Sequence, residues 1–328
     1  MKKNIYLVMV AALVLSAGCE KDDKDVKQTD THTVYVAGKE GEVLKVWKNG
    51  VATALTDGTK DAMALSVYVS NGDVYVAGYE RDARDYPIAK LWKNGVATTF
   101  TDGINSSEAL SVYVSGSDVY VAGHESNSNR WLAKIWKNGT LLYSLTDGSN
   151  HAFASSVYVS NGDVYVAGNE NNINKWRAKI WKNGVATALT DGTKDAMAYS
   201  VFVSGGNVYA AGYEQDVAKI WKNGIATALT DGTRANSVYV ANNDVYAAGY
   251  EHDATSFNGV ATLWKNGTAQ RLTDGTKDAM ALSVYVSNGD VYVAGYEGWV
   301  AKVWKNGTAQ SLTDGTNDAV AYSIFVVN

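Results

Sequence analysis

The sequence predicts an all-β chain folded as a seven-bladed β-propeller with four-stranded blades, and three observations carry that expectation. Trp-Lys-Asn-Gly recurs at Trp47, Trp92, Trp136, Trp181, Trp221, Trp264 and Trp304, at intervals of 40 to 45 residues, a period that suits four short strands. The strands between these motifs carry successive apolar residues, such as Val67-Tyr68-Val69, so each sheet needs cover on both faces. The chain also opens on a second strand, from Val34, and closes on a first strand, Ser323 to Val327, and these two orphans have only each other as partners. Blades stacked radially around an axis supply the cover and leave short edges. Pairing of the orphans then gives a 3+1 closure between the N-terminal strands and the C-terminal strand. A β-solenoid, the other repeat architecture, leaves them unpaired.

The elements follow in order. Residues 1–18 read as a secretory signal: Lys2 and Lys3 precede an apolar run from Ile5 to about Leu15, which is shorter than the ~20 residues a membrane-spanning helix needs. Residues 19–32 are polar and aperiodic, a tether. Residues 33–328 hold the repeats. One unit reads as a strand Ser66–Ser70, a tight Asn71-Gly72-Asp73 turn, a strand Val74–Gly78, a third strand Ile88–Lys93, an Asn94-Gly95 turn and a fourth strand Val96–Thr101. The two turns are expected at opposite ends of the blade, and the second-to-third and blade-to-blade loops together at one end.

Two resemblances add to this reading. Leu15-Ser16-Ala17-Gly18-Cys19 resembles the lipobox of bacterial lipoproteins, with Ser16 where Leu is commonest. The resemblance implies cleavage before Cys19, the sole cysteine, and a lipid anchor on its sulfur, stable because several acyl chains together bind membranes firmly. The following Glu20-Lys21-Asp22-Asp23-Lys24 is similar to the acidic export signal of Bacteroidota surface lipoproteins, which implies an outer-membrane, cell-surface location. From Thr33 to Asn328 the chain resembles repeat-rich bacterial propeller lipoproteins, without the Gly-His signature of WD repeats. A monomer is expected. Losing Lys2 and Lys3 with the signal takes the formal charge from −5 to −7, which argues against a nucleic-acid partner.

Function, on this reading, belongs to the irregularities. The second-to-third loops differ in length and content between blades, whereas the turns do not, and variation at one end of a repeat scaffold marks a binding face or unconstrained drift. Candidate ligand-binding residues there are Tyr86, Arg130, Trp131, Asn172, Trp176, His252, Phe257 and Trp299, aromatic and polar groups suited to a glycan or a surface protein. For Trp131, Trp176 and Trp299 a second reading stands open: each lies five places before the Trp of its repeat motif and extends the third strand.

A Glu follows every second strand, at Glu40, Glu80, Glu125, Glu170, Glu214, Glu251 and Glu297. A Lys two places before the motif Trp is its expected cross-strand partner, except where Thr262 leaves Glu251 without one. Asp57 in Thr56-Asp57-Gly58-Thr59 reads as a local turn residue rather than a calcium ligand. The histidines His32, His124, His151 and His252 have no metal-ligand spacing, so no cofactor, metal or catalytic residue is assigned. The reading is a non-enzymatic binding scaffold, and its rival is a glycan-active hydrolase or lyase on the same fold, which needs two facing carboxylates.

Overall fold

Residues 62–99 show how one blade is made. Four strands, Ala62–Ser70, Asp73–Arg81, Pro87–Lys93 and Val96–Thr99, pair in order as an antiparallel meander. The computed structural model describes residues 32–127, 129–172, 174–252 and 258–328. The signal 1–18, Cys19, the tether up to Thr31 and Phe257 lie outside the described residues, as does the side chain of Asn172.

Both turns have the geometry that Asn-Gly favours. Asn71 and Gly72 sit at φ 51° and 83°, and Asn94 and Gly95 at 51° and 84°, left-handed at both central positions as a type I′ hairpin requires. The first strand starts at Ala62, earlier than the expected Ser66, because a β-bulge between Ala64 and Ser66 breaks its alternation. Gly78 stands opposite the bulge, where a Cβ would lie 1.8 Å from the Met63 carbonyl oxygen. The Gly of every Val-Tyr-(Val/Ala)-Ala-Gly strand is therefore dictated by close backbone approach.

One expectation is corrected: the two turns lie at the same end. Asn94 Nδ2 donates to Asp73 Oδ1 at 2.7 Å, and the Val74 amide donates to Asn94 Oδ1 at 2.8 Å, so the turns are bonded side by side. Strands of a meander alternate in direction, and turns two steps apart must return to one end. The same Asn-to-Asp bridge recurs at Asn138–Asp118, Asn183–Asp163, Asn266–Asp244 and Asn306–Asp290. The opposite end, the loop end, carries the second-to-third and blade-to-blade loops.

Seven such four-stranded sheets form a β-propeller. Blades I to VI span residues 62–99, 107–144, 152–188, 196–228, 234–271 and 279–311. Blade VII joins Ala319–Val327 to Thr33–Glu40, Val43–Lys48 and Val51–Ala54, with Val36 opposite Ile324 and Tyr35 opposite Phe325, which is the expected 3+1 closure.

Three repeated contacts hold neighbouring blades together. The motif Trp of each third strand is at most 3% exposed and packs on the preceding blade, as Trp92 does on Ala37 and Leu44. The first strands stand innermost, and each Ser of their Ser-Val or Ser-Ile pair accepts a bond from the next blade: Val112 N to Ser66 Oγ at 3.2 Å, and so on round to Val67 N to Ser323 Oγ at 3.1 Å. Tyr68, Tyr113, Tyr158, Phe202, Tyr239, Tyr285 and Phe325 then form a closed aromatic belt about the axis, with ring centroids 4.6 to 4.9 Å apart.

Candidate ligand-binding site

The bulge that shapes each first strand also turns one side chain toward the axis on the loop side of the aromatic belt. Those residues are Leu65, Leu110, Ser155, Tyr199, Asn236, Leu282 and Tyr322, and they line an open axial cavity of about 460 Å³. Its size lies within the roughly 300–1,000 Å³ of small-molecule sites. Two smaller spaces, of about 160 and 250 Å³, lie between blades near the turn end and are walled by repeat residues such as Tyr209 and Tyr35.

The axial cavity is asymmetric because blades II and III depart from the repeat there. Where blades I and VI pair a Met with a Tyr, at Met63–Tyr79 and Met280–Tyr296, blade II pairs Glu108 with His124 and blade III pairs Phe153 with Asn169. All four departures line the cavity. Asn169 is 1% exposed, and neither its Oδ1 nor its Nδ2 has a hydrogen-bond partner among the described residues. His124 is 4% exposed and its Nδ1 is likewise unpartnered among them.

The electrostatics follow from burial. Loss of solvation pushes the His124 imidazole down to about 3, so it is neutral at physiological pH. Burial likewise raises the Glu108 carboxyl, with Arg81 opposing, and Glu108 Oε2 lies 3.7 Å from His124 Nε2. A neutral imidazole, a carboxamide and a carboxyl held toward its protonated form thus face one wall. Leaving polar atoms such as His124 Nδ1 and the Asn169 amide buried without partners costs ~1–3 kcal/mol each, a cost that a hydrogen-bonding ligand would relieve.

The sequence-predicted residues fall into two groups. Trp131 and Trp176 come together with this wall: Trp131 meets His124 edge-on at 4.7 Å, His124 meets Phe153 at 4.6 Å, and Phe153 meets Trp176 at 5.3 Å. Both are half-buried and lie within third strands, Trp131–Lys137 and Lys175–Lys182, so they extend those strands and also continue the cavity wall. The others are scattered. Tyr86 is 46% exposed beneath the Arg84 guanidinium, 5.0 Å from its ring centroid. Arg130 is exposed and donates to the Asn129 carbonyl, while exposed His252 leans on Tyr250. Trp299 does not extend its strand; it sits at φ 65° in the turn before Val300–Lys305, 51% exposed and stacked on Tyr296. Asn172 ends the strand Asp163–Asn172.

Glu108, Phe153, Asn169, Ser155 and Asn236 escaped the sequence reading, which compared loops between blades and not fixed strand positions. Their signal is a departure from the repeat at those positions, readable by aligning the seven copies.

Five of the six expected pairs of loop-end carboxylates form: Lys45, Lys90, Lys134, Lys179 and Lys302 bond Glu40, Glu80, Glu125, Glu170 and Glu297. The sixth is corrected, since Glu214 ends its strand opposite Val217 and makes no ion pair with Lys219 among the described residues. Glu251 is corrected: Arg271 of the fourth strand replaces the missing lysine, its Nε 2.6 Å from Oε1. Asp57 Oδ1 accepts from the Thr59 amide and hydroxyl at 2.9 and 2.7 Å, which holds its carboxyl below the usual range, and the turn recurs at Asp191, Asp274 and Asp314.

No protein-family model and no curated protein matches the chain. Among solved structures, an acylaminoacyl peptidase of Pyrococcus horikoshii is similar over 86% of this chain and 51% of its own, at 13% identity and a TM-score of 0.51. A Trypanosoma rangeli sialidase mutant displaying trans-sialidase activity is similar at 8% identity over 80% of this chain and 53% of its own, with a TM-score of 0.49. The Trypanosoma rangeli sialidase in complex with the inhibitor DANA is similar at 10% identity over 85% and 56%, also with a TM-score of 0.49. The chain spans about half the length of these proteins. At such identities the likeness is one of fold alone, and strand order and closure make that fold a seven-bladed β-propeller.

Proposed function

We propose that this chain is a non-enzymatic binding protein, held at the cell surface by lipid on Cys19, whose loop end takes a glycan or a protein ligand. The observation that carries the reading is the placement of difference. The turn end repeats the same bonds blade after blade, while the unpartnered polar groups His124 and Asn169 lie toward the loop end, where the exposed aromatics Tyr86 and Trp299 stand on separate blades. Such restriction suits a scaffold that varies one end for recognition.

The test places the purified full-length protein on a glycan array and uses it in parallel to capture partners from a surface-protein extract, with Tyr86→Ala/Trp299→Ala as comparison. A glycan or protein ligand that the double variant or an axial-cavity variant binds more weakly is expected. Absence of any ligand in both arms, or ligands indifferent to all these changes, rejects the loop-end reading. In the same cells Cys19→Ser should move the protein out of the membrane fraction, and its retention there would reject the anchor.

A further inference from the structure

The wall formed by blades II and III presents hydrogen-bonding groups of mixed character within a narrow space. Asn169 offers one acceptor and two donors, neutral His124 offers Nδ1, and Glu108, raised by burial, both donates and accepts once protonated. Ser155 adds a hydroxyl. Groups that are donors and acceptors side by side are satisfied by a ligand with the same double capacity, which is the character of a hydroxyl. A carboxylate or phosphate would leave the acceptors facing anionic oxygen, and an ammonium would leave the donors idle.

Charge points the same way. Among the described residues lining the cavity, Glu108 alone carries an acidic group and none is a Lys or Arg. The nearest cations, Arg81 beside Glu108 and Arg234 beside Tyr199, stand behind the wall and do not line it. Across the axis from this wall, in blades VI and VII, stand Leu282 and Tyr322, and Leu65 of blade I completes an apolar arc. A molecule with hydroxyls along one edge and C–H groups on a face matches both walls, since aromatic faces accept the apolar face of such a ring. The ~460 Å³ of space accommodates one such ring with substituents.

We infer that the axial cavity is a binding site for a single neutral sugar ring, hydrogen-bonded by Asn169, His124, Glu108 and Ser155 and covered by Tyr322 and Leu282. The inference deepens the glycan branch of the proposed function and rests on it. The ring is the terminal unit of a glycan that enters from the loop end, past Trp131 and Trp176, which continue the wall outward through His124 and Phe153.

The repeat itself supplies the variants. Asn169→Tyr and Glu108→Met restore the residues that blades I and VI hold at these positions, at Tyr79, Tyr296, Met63 and Met280, so the fold has a place for each. Calorimetric titration of the full-length protein uses the neutral methyl glycosides of glucose, galactose, mannose, fucose, xylose and N-acetylglucosamine, with N-acetylneuraminic acid and lysine as charged probes. At least one neutral glycoside is expected to bind, and each variant to weaken it by about tenfold or more while melting no lower than the wild type. Val96→Thr, on the exposed fourth strand of blade I, should bind as the wild type.

Preference for either charged probe overturns the neutral class, and no binding across the neutral panel overturns the sugar assignment. If a glycan or glycoside binds with full affinity to the Asn169→Tyr/Glu108→Met double variant, the axial site fails while loop-end binding stands. If nothing on the array binds but a protein partner is captured, the sugar assignment fails alone. Should a variant melt lower than the wild type, saturation-transfer NMR on the unmodified protein decides: contact of the glycoside with the Phe153 and Tyr322 rings supports the site, and its absence removes it.

Discussion

His124 stands where blades I, IV, V and VI hold Tyr79, Tyr213, Tyr250 and Tyr296, and this one substitution changes how the domain responds to acid. Burial lowers the folded imidazole from 6.5 to about 3, whereas the unfolded chain takes up a proton near its ordinary value. The unfolded state therefore binds more protons between those values, so this residue's contribution to stability is intact above pH ~6.5 and is lost as pH falls toward ~3, at up to roughly 1.4 kcal/mol per pH unit. Glu108 opposes it, because its raised carboxyl gains a proton in the fold over part of the same range. His124→Tyr keeps Glu108 and removes the histidine, so the melting-temperature gap between variant and wild type should widen in the variant's favour from pH 7 to pH 4. An unchanged gap would show that His124 is solvated. At this scale the sequence was only partly legible: Trp131 and Trp176 stood out as tryptophans, while Glu108 and Asn169 looked ordinary, because lining a cavity, or for Asn169 being buried without a partner, is a property of surroundings.

The strand that lines the axis shows what a local pattern conveys and what it hides. Val-Tyr-Val and Asn-Gly signalled strand and turn, and both formed as expected. The Ala-Met-Ala-Leu stretch before Ser66 carried no period, since the bulge between Ala64 and Ser66 shifts the register and sends Leu65 toward the cavity. The glycine opposite each bulge is the visible trace of that device. A Cβ on Gly168 would come 2.0 Å from the Phe153 carbonyl oxygen, so Gly168→Ala must push the backbone apart beside the proposed site. We expect a loss of about 1–3 kcal/mol in urea unfolding, the range of overpacked interiors. The same change at Gly72, where nothing lies within 4 Å of the added atom but φ is 83°, should act through turn strain alone and leave cavity binding untouched. Equal effects of both variants on glycoside binding would separate the bulge from the site.

The ring closes through one strand. Ile324 and Val326 are 4% and 3% exposed, Phe325 sits in the aromatic belt between Tyr285 and Tyr68, and Ser323 accepts the amide of Val67. Deleting residues 323–328 removes four apolar side chains, Ile324, Phe325, Val326 and the partly buried Val327, and at ~1.5–3 kcal/mol for each fully buried one the loss is comparable to the roughly 5–15 kcal/mol that stabilises a typical domain. The truncated chain should lose its cooperative thermal transition or melt far below the full chain, followed by circular dichroism. A truncation that melts like the full chain would disprove closure by this strand. The correction of the two turns to one end also belongs to this scale: it follows from strand direction, and it leaves the whole loop end free for recognition.

The blade count, the strand pairing within blades, the Asn-Gly turns and the terminal closure were determined by the sequence alone, because each rests on repetition and on short-range rules of backbone and burial. The axial site was decided by the tertiary structure. Glu108, His124, Phe153, Asn169 and Tyr322 come from three different blades, and only the closed ring brings them to one cavity and leaves His124 Nδ1 and the Asn169 amide buried without partners among the described residues. Repetition dictates the scaffold through contacts that recur, while the proposed function rests on the few positions where the repeat is broken, whose surroundings depend on what stands across the axis.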